Sequence, residues 1–468
     1  MTAPIRRAAA AALLLTLASS PARAQTVQEL QAQIDELKAQ IAALTKAQAA
    51  QPVATAAPAA VAAASSAPPV IELPAPKAAA SAASSAPAPV SASSPVERVR
   101  LRGYTQVRYN APLSGDFDAP AGQSRLRSVH DSAVSEDAGF SLRRVRLVLQ
   151  GQINDRLELY LQEDFGTAVT NQSTTERRES FGQLRDAYVD IFDSSRRFRL
   201  RVGQSKVPFG WENLQSSSNR VPLDRSDAIN SAVPGERDLG VVGYYTPDHV
   251  KAVWDRLEKG GQKLFGNYGA FGLAVYNGQG TNRTERNNSL MTVAMGTWPF
   301  EIGDRQVLEL GGSVMFNDYR PELRSGGVSE ADYDDRRVAL HAILYPQPFG
   351  VQAEWTTGRA PQFDQAAGVI AEDRLNGGYV QVMYDMGETP IGRVIPYGRW
   401  QTYDGGWKAS LNAPRLQTDE VEVGVEWRFL SNIELTVAYA NMKRREADER
   451  RLGRAEGDLI RTQLQFTY

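Results

Sequence analysis

The chain has 468 residues, no cysteine, and 52 basic against 54 acidic side chains, a formal net charge of −2. That length holds one large domain with extensions or two to three ordinary ones. The lack of cysteine excludes a disulfide framework and a thiolate metal site, and the near-neutral balance gives no pointer to nucleic acid. The basic side chains are 43 Arg and 9 Lys. A GC-rich genome produces such a bias, and so does a need for fixed, planar, always-charged donors. From Glu97 onward Lys+Arg number 46 and Asp+Glu 50, a net of −4. Any preference for anions must therefore come from where the arginines sit.

The first 24 residues read as a secretory signal. Arg6 and Arg7 supply the positive start, 8–18 the apolar run, and Ala22-Arg23-Ala24 a small-x-small cleavage pattern. Beyond it no window of about 20 apolar residues occurs, which excludes membrane-spanning helices and leaves barrel strands open. Over 25–48, Val27, Leu30, Ile34, Leu37, Ile41 and Leu44 repeat at spacings of 3 and 4. β-Branched residues at a and Leu at d predict a short coiled-coil helix. From 49 to 96 the composition falls to Ala, Pro, Ser and Val, too little to bury a core, so a disordered linker is expected.

Over 97–468 short alternating runs recur. They centre on 100–110, 141–150, 156–165, 183–192, 197–203, 238–245, 268–277, 290–298, 307–317, 337–345, 351–357, 378–386, 394–403, 419–429, 433–441 and 459–468. Short turns at 153–155, 193–195, 299–304, 346–348 and 430–432 alternate with long connections at 111–139, 166–182, 204–236, 325–336, 359–377 and 443–458. The segment 246–266 is too long for its side. Sixteen strands with alternating loop lengths predict an all-β fold, a 16-stranded antiparallel transmembrane β-barrel with both ends on the short-turn, periplasmic side. A soluble sandwich also alternates, but the signal segment, the loop lengths and the last strand oppose it. That strand ends Leu464-Gln465-Phe466-Thr467-Tyr468, and its aromatic last residue is similar to the assembly signal of outer-membrane barrels.

The faces differ in chemistry. Leu101, Thr105, Val107 and Tyr109 oppose Arg100, Arg102, Gln106 and Arg108. Val145, Leu147 and Leu149 oppose Arg144 and Arg146, and Phe198, Leu200 and Val202 oppose Arg199 and Arg201. Grease on one face and arginine on the other fit lipid outside and a wet channel inside. Arg100, Arg102, Arg108, Arg144, Arg146, Arg199 and Arg201 are thus expected to line the pore. The long insert after Lys206 is expected to fold inward. Its constriction candidates are Lys206, Ser216, Ser217, Arg220, Asp224, Arg225 and Arg237.

Several motifs now occur in order: LRGYTQVRY at 101–109, FSLRRVR at 140–146, LRDAYVD at 184–190, VGQSKVPFG at 202–210, GERDLG at 235–240 and AVYNGQG at 274–280. Together they make the chain resemble the phosphate-selective porin O and P family. The resemblance implies a homotrimer of sixteen-stranded barrels in the outer membrane of a Gram-negative bacterium, each with an in-folded third long loop and an arginine-rich path for anions. Lipid and small anions such as phosphate or polyphosphate are then the partners, with no cofactor or metal, and the periplasmic coiled coil is placed to meet peptidoglycan. One departure stands out. Phosphate-specific members add a lysine cluster, whereas this domain has only Lys206, Lys251, Lys259, Lys263, Lys408 and Lys443. Asp164, Asp186, Asp190, Glu354 and Glu422 also fall on lumen faces, so a broader anion channel or a general porin fits too. A barrel tethering membrane to cell wall through the coiled coil is the rival reading. An enzyme is not expected, because His130, His249 and His341 form no triad or metal spacing.

Overall fold

In the computed structural model, the alternation read at Phe198–Lys206 becomes a wall strand. Phe198, Leu200 and Val202 are exposed, whereas Arg199 and Arg201 are buried. A strand that hides guanidinium and shows leucine to its surroundings is inverted relative to a soluble sheet. The same inversion runs round the sheet: Leu101, Phe140, Leu273 and Leu340 are all more than 60% exposed. Such a continuous apolar belt is a lipid-facing surface. The structure describes residues 99–118, 124–166, 182–266, 268–303, 305–447 and 453–468. The expected signal segment, coiled-coil helix and linker lie outside the described residues.

The wall begins with β1 (Val99–Gly115), β2 (Gly139–Asn154), β3 (Leu157–Asp164), β4 (Gln183–Phe192), β5 (Phe198–Lys206) and β6 (Arg237–Tyr245). It continues through β7 (Phe271–Tyr276), β8 (Met291–Ile302), β9 (Gln306–Tyr319), β10 (Tyr333–Leu344), β11 (Phe349–Asp364) and β12 (Val369–Tyr384). The two-residue β13 (Glu388–Thr389) lies in a turn, and β14 (Gly392–Gly406), β15 (Arg415–Leu430), β16 (Ile433–Ala447) and β17 (Ala455–Thr467) complete the ring. Sequence neighbours pair antiparallel, and β1 pairs with both β2 and β17. The sheet closes as a barrel of sixteen wall strands with no free edge. Closure is tightened at the terminus, where the backbones of Gly103 and Tyr468 bond each other at 2.7 and 3.0 Å. A Cβ on Gly103 would meet the Tyr468 ring at 2.6 Å, so glycine there makes room for the aromatic end.

The segments expected as long loops at 359–377 and 443–458 are mostly wall. β11 and β12 run on to a turn at 365–368, and β16 extends to Ala447. The wall is tall there and low at β3–β7: β11, β12 and β15 have 16 residues, β7 only 6. The overlong connection 246–266 contains an α-helix. Three helices occur among the described residues: α1 (Trp211–Leu214), α2 (Asp227–Asn230) and α3 (Asp248–Lys259). Val250, Val253, Trp254 and Leu257 of α3 are buried. They pack with Trp211, Phe265, Val307, Ile343 and Tyr345 across the short-turn end of the barrel. A second cluster joins Val207, Phe209, Ile229 and Val233 to Tyr276, Met315 and Tyr379 of the wall. The interior beside β6–β12 is therefore packed core, and open space is left on the β1–β5 side.

Candidate functional site

The segment 207–236 leaves β5, crosses the barrel interior and returns to β6. Gly210 starts the crossing with φ 81°, a backbone setting that favours glycine. The first turn of α1 follows, and its Trp211 and Glu212 N–H groups donate to the Glu354 carboxylate of β11 at 2.5 and 3.0 Å. At the other end of α1 the Lys206 ammonium donates to the carbonyls of Asn213, Leu214 and Gln215 at 2.8–3.1 Å. A carboxylate at the N-terminus and an ammonium at the C-terminus complement the helix dipole. Ser226 caps α2 by accepting from Ile229 N–H. Asp227 then accepts from Arg444 of β16 and Thr418 of β15, and Glu212 from Arg399 of β14 at 2.6 Å. The segment is thus tied to the wall opposite its own strands.

Burial opposes every charge on this segment, yet its carboxylates stay ionised. Arg399 holds Glu212 below the usual carboxylate range, and Arg444 does the same for Asp227. Arg108 and Arg461 hold Asp224 well below it, and Arg225 and Arg237 do so for Glu236.

The expected arginines divide by partner. Arg100 and Arg102 are exposed near the short-turn end, and Arg102 donates to Gln150 at 3.0 Å. Arg108 is buried between Asp131 and Asp224 at 2.7 and 2.9 Å. Arg146 meets Asp164 at 2.7 Å and the Tyr104 hydroxyl at 2.9 Å. Arg201 grips Asp190 through two bonds of 2.8 and 2.9 Å, and Arg199 lies 3.5 Å from the same carboxylate. Arg225 pairs with Glu236, and Arg237 with Glu236 and Asp186. The ionised Asp224 serves Arg108, Arg461 and Arg143. Ser216 bonds Ser218 at 2.9 Å.

Two buried guanidinium groups break the pattern. Arg144 donates to Gln106 at 2.8 Å and has no carboxylate within salt-bridge reach among the described residues, and its Nε has no partner. Arg220 makes one long bond to the Leu223 carbonyl, 3.4 Å, and its Nε and Nη1 have none. Burial, with Arg225 adding to it, pushes Arg220 down to about 9. Between them, Gln106 donates to the Ser217 carbonyl at 3.0 Å, and the buried Ser217 hydroxyl is likewise unpartnered. Arg144, Arg220 and Ser217 therefore present donors without acceptors where the crossing segment meets β1 and β2.

Beside them lies a cavity of about 260 Å³. Arg102, Arg146, Lys206 and Arg237 line it with Glu158, Asp186 and Asp190, and with Tyr104, Tyr160, Tyr188 and Tyr268. Sequence reasoning did not single out Gln106, Arg399, Arg444, Arg461 or the tyrosines. The alternation placed Gln106 on the lumen face, but its partners Ser217 and Gln465 lie on distant segments, and Arg444 fell in the connection expected at 443–458. No group of three or more His, Cys, Asp or Glu residues suited to a metal occurs among the described residues.

The sequence profile of the phosphate-selective porin O and P family matches residues 121–468. No curated protein matches the chain. Solved structures similar to it include the outer membrane channel DcaP of Acinetobacter baumannii, at 16% identity and TM-score 0.49 over 79% of this chain and 97% of that one. The anion-selective porin from Comamonas acidovorans follows at 12% and 0.47, over 79% and 99%. The trimer form of OmpT from Vibrio cholerae stands at 9% and 0.45, over 79% and 99%.

Proposed function

As a member of the phosphate-selective porin O and P family, the chain is a channel of the bacterial outer membrane, and we propose that it passes small anions, phosphate among them, by passive diffusion. The observation that carries this reading is the set of unpartnered buried donors on Arg144, Arg220 and Ser217. A buried guanidinium without a paired carboxylate is costly, and an anion in the adjoining path lowers that cost through its field. Phosphate oxygens suit guanidinium donors geometrically, and donor-lined constrictions favour anions. The crossing segment narrows the path, so the donors act where solute is least hydrated. Lys206 is spent on carbonyls, which favours a broad anion preference over strict phosphate selectivity. Glu158, Asp186 and Asp190 in the adjoining cavity favour a second reading, a general porin with little charge preference. In the full reading three copies associate, residues 1–24 are removed, and 25–96 extend into the periplasm toward peptidoglycan.

The test is the zero-current potential across a planar bilayer in a salt gradient. Anion selectivity, with phosphate conductance comparable to chloride, is expected. Cation selectivity would overturn the anion reading, and absence of single-channel steps would overturn the channel.

A further inference from the structure

We propose that the cavity beside the constriction binds a hydroxylated ring carrying one anionic group, the sugar-phosphate class, and so selects among the anions that enter. The inference rests on the channel reading above. It starts from a mismatch: inorganic anions offer mainly acceptors, yet Glu158, Asp186 and Asp190 face the cavity with acceptors of their own. Each is tied to an arginine, Glu158 to Arg196, Asp186 to Arg237 and Asp190 to Arg201. A carboxylate has about four lone-pair sites, so acceptor capacity remains. A solute that brings hydroxyl donors as well as anionic oxygens satisfies both kinds of lining group.

The aromatic residues add a ring platform. Tyr160 and Tyr188 stack at 5.0 Å with planes only 8° apart. Arg201 covers the far face of Tyr188, with Cζ 3.8 Å from the centroid. The stack ends at Tyr160, where Arg102 lies loosely at 5.8 Å and is solvent-exposed. Arg102 sits on the cavity with one side-chain hydrogen bond, to Gln150, so it can swing aside or fold over a guest. A ring with axial C–H groups packs on the Tyr160 face, as apolar matter does on aromatic faces. Its anionic group reaches toward Arg146, and its hydroxyls toward Gln150, Gln162 and Asp190. Amides, hydroxyls and carboxylates around one aromatic face suit a polyol ring better than an aryl anion, which has few hydroxyls to satisfy them.

Isothermal titration of the full-length chain in detergent compares glucose 6-phosphate, glucose, inorganic phosphate and benzoate. Glucose 6-phosphate is expected to bind at least tenfold tighter than the other three. Tyr160→Ala should remove that margin while leaving inorganic phosphate unchanged, and Tyr160→Phe should keep it. Equal affinity for glucose 6-phosphate and phosphate overturns the proposal, and so does benzoate binding as tightly. So does a margin that survives Tyr160→Ala. The wild-type comparison decides even if Tyr160→Ala fails to assemble. Binding is read without conduction, so lack of the margin in a protein with anion-selective current sinks this proposal alone.

Discussion

The indole nitrogens of Trp211 and Trp254 donate to opposite oxygens of one buried carboxylate, Glu309, at 3.1 and 2.9 Å. Thr297 and Tyr345 add bonds of 2.8 and 2.9 Å to the same group. Trp211 belongs to the segment that enters from the long-loop end, and Trp254 to α3 at the short-turn end. One side chain of β9 therefore fastens both intrusions into the barrel. Trp254→Phe keeps the edge packing on Phe265, whose ring centroid is 5.1 Å away, and removes one donor. Glu309 keeps three donors, so the loss is that of one net hydrogen bond, about 0.5–1.5 kcal/mol. The urea midpoint should fall and open-channel current noise should rise. An unchanged midpoint and noise would mean that α3 does not brace the crossing segment.

The unpaired arginines should dominate selectivity. Arg144→Gln or Arg220→Gln removes a charge that has no carboxylate within salt-bridge reach among the described residues. At 4 Å in a watery path one charge is worth roughly 1 kcal/mol, so the anion-to-cation permeability ratio should fall severalfold. Removing Arg201 together with its partner, as Arg201→Gln with Asp190→Asn, subtracts no net charge and should leave the ratio near its wild-type value. Zero-current potentials of the three variants check this, and a larger drop in the paired double variant would reverse the assignment.

The wall was legible because one face meets lipid and the other water, and a period of two cannot slip by one residue without exchanging them. All sixteen runs became strands for that reason, and the long insert after Lys206 turned inward where β5 ends. The helix α3 was readable in principle. Val250, Val253, Trp254 and Leu257 have helical spacing, but they sit where a short turn belongs. Which arginines stay unpaired was not legible. Arg461 finds Asp131 across 330 positions, and Arg399 finds Glu212 across 187. Strand parity gives the face of a side chain, not the partner that the crossing segment brings to it.

Acid should release the crossing segment late. Burial disfavours the charges of Glu212, Asp224, Asp227 and Glu236, but the arginines around them hold all four below the ordinary carboxylate range. These groups are more acidic folded than unfolded, so their contribution is complete above an unfolded pKa of about 4. It is lost as pH falls through the lower folded values. Single-channel conductance should thus hold steady from neutral pH down to about 4. Below that, steps should grow larger and noisier as the segment loosens. Noise that sets in well above that range would show that other groups hold the segment.

Gly210 should be intolerant of a side chain. Its φ of 81° lies in the left-handed region, which costs an L-residue about 1–2 kcal/mol. A Cβ there would also sit 2.4 Å from Ile229 Cγ2 and 3.1 Å from a Glu354 oxygen. Ile229 is fully buried in the cluster that seats the segment, so it cannot retreat without opening that cluster. The Glu354 oxygen is the one that receives the Trp211 N–H, so displacing it unties the start of α1. Gly210→Ala should therefore shift the segment rather than the wall. Heat stability of the folded barrel on a gel should change little, since the wall hydrogen bonds are untouched, while single-channel conductance should broaden into several levels. A single wild-type conductance level in Gly210→Ala would show that the left-handed turn does not set the constriction.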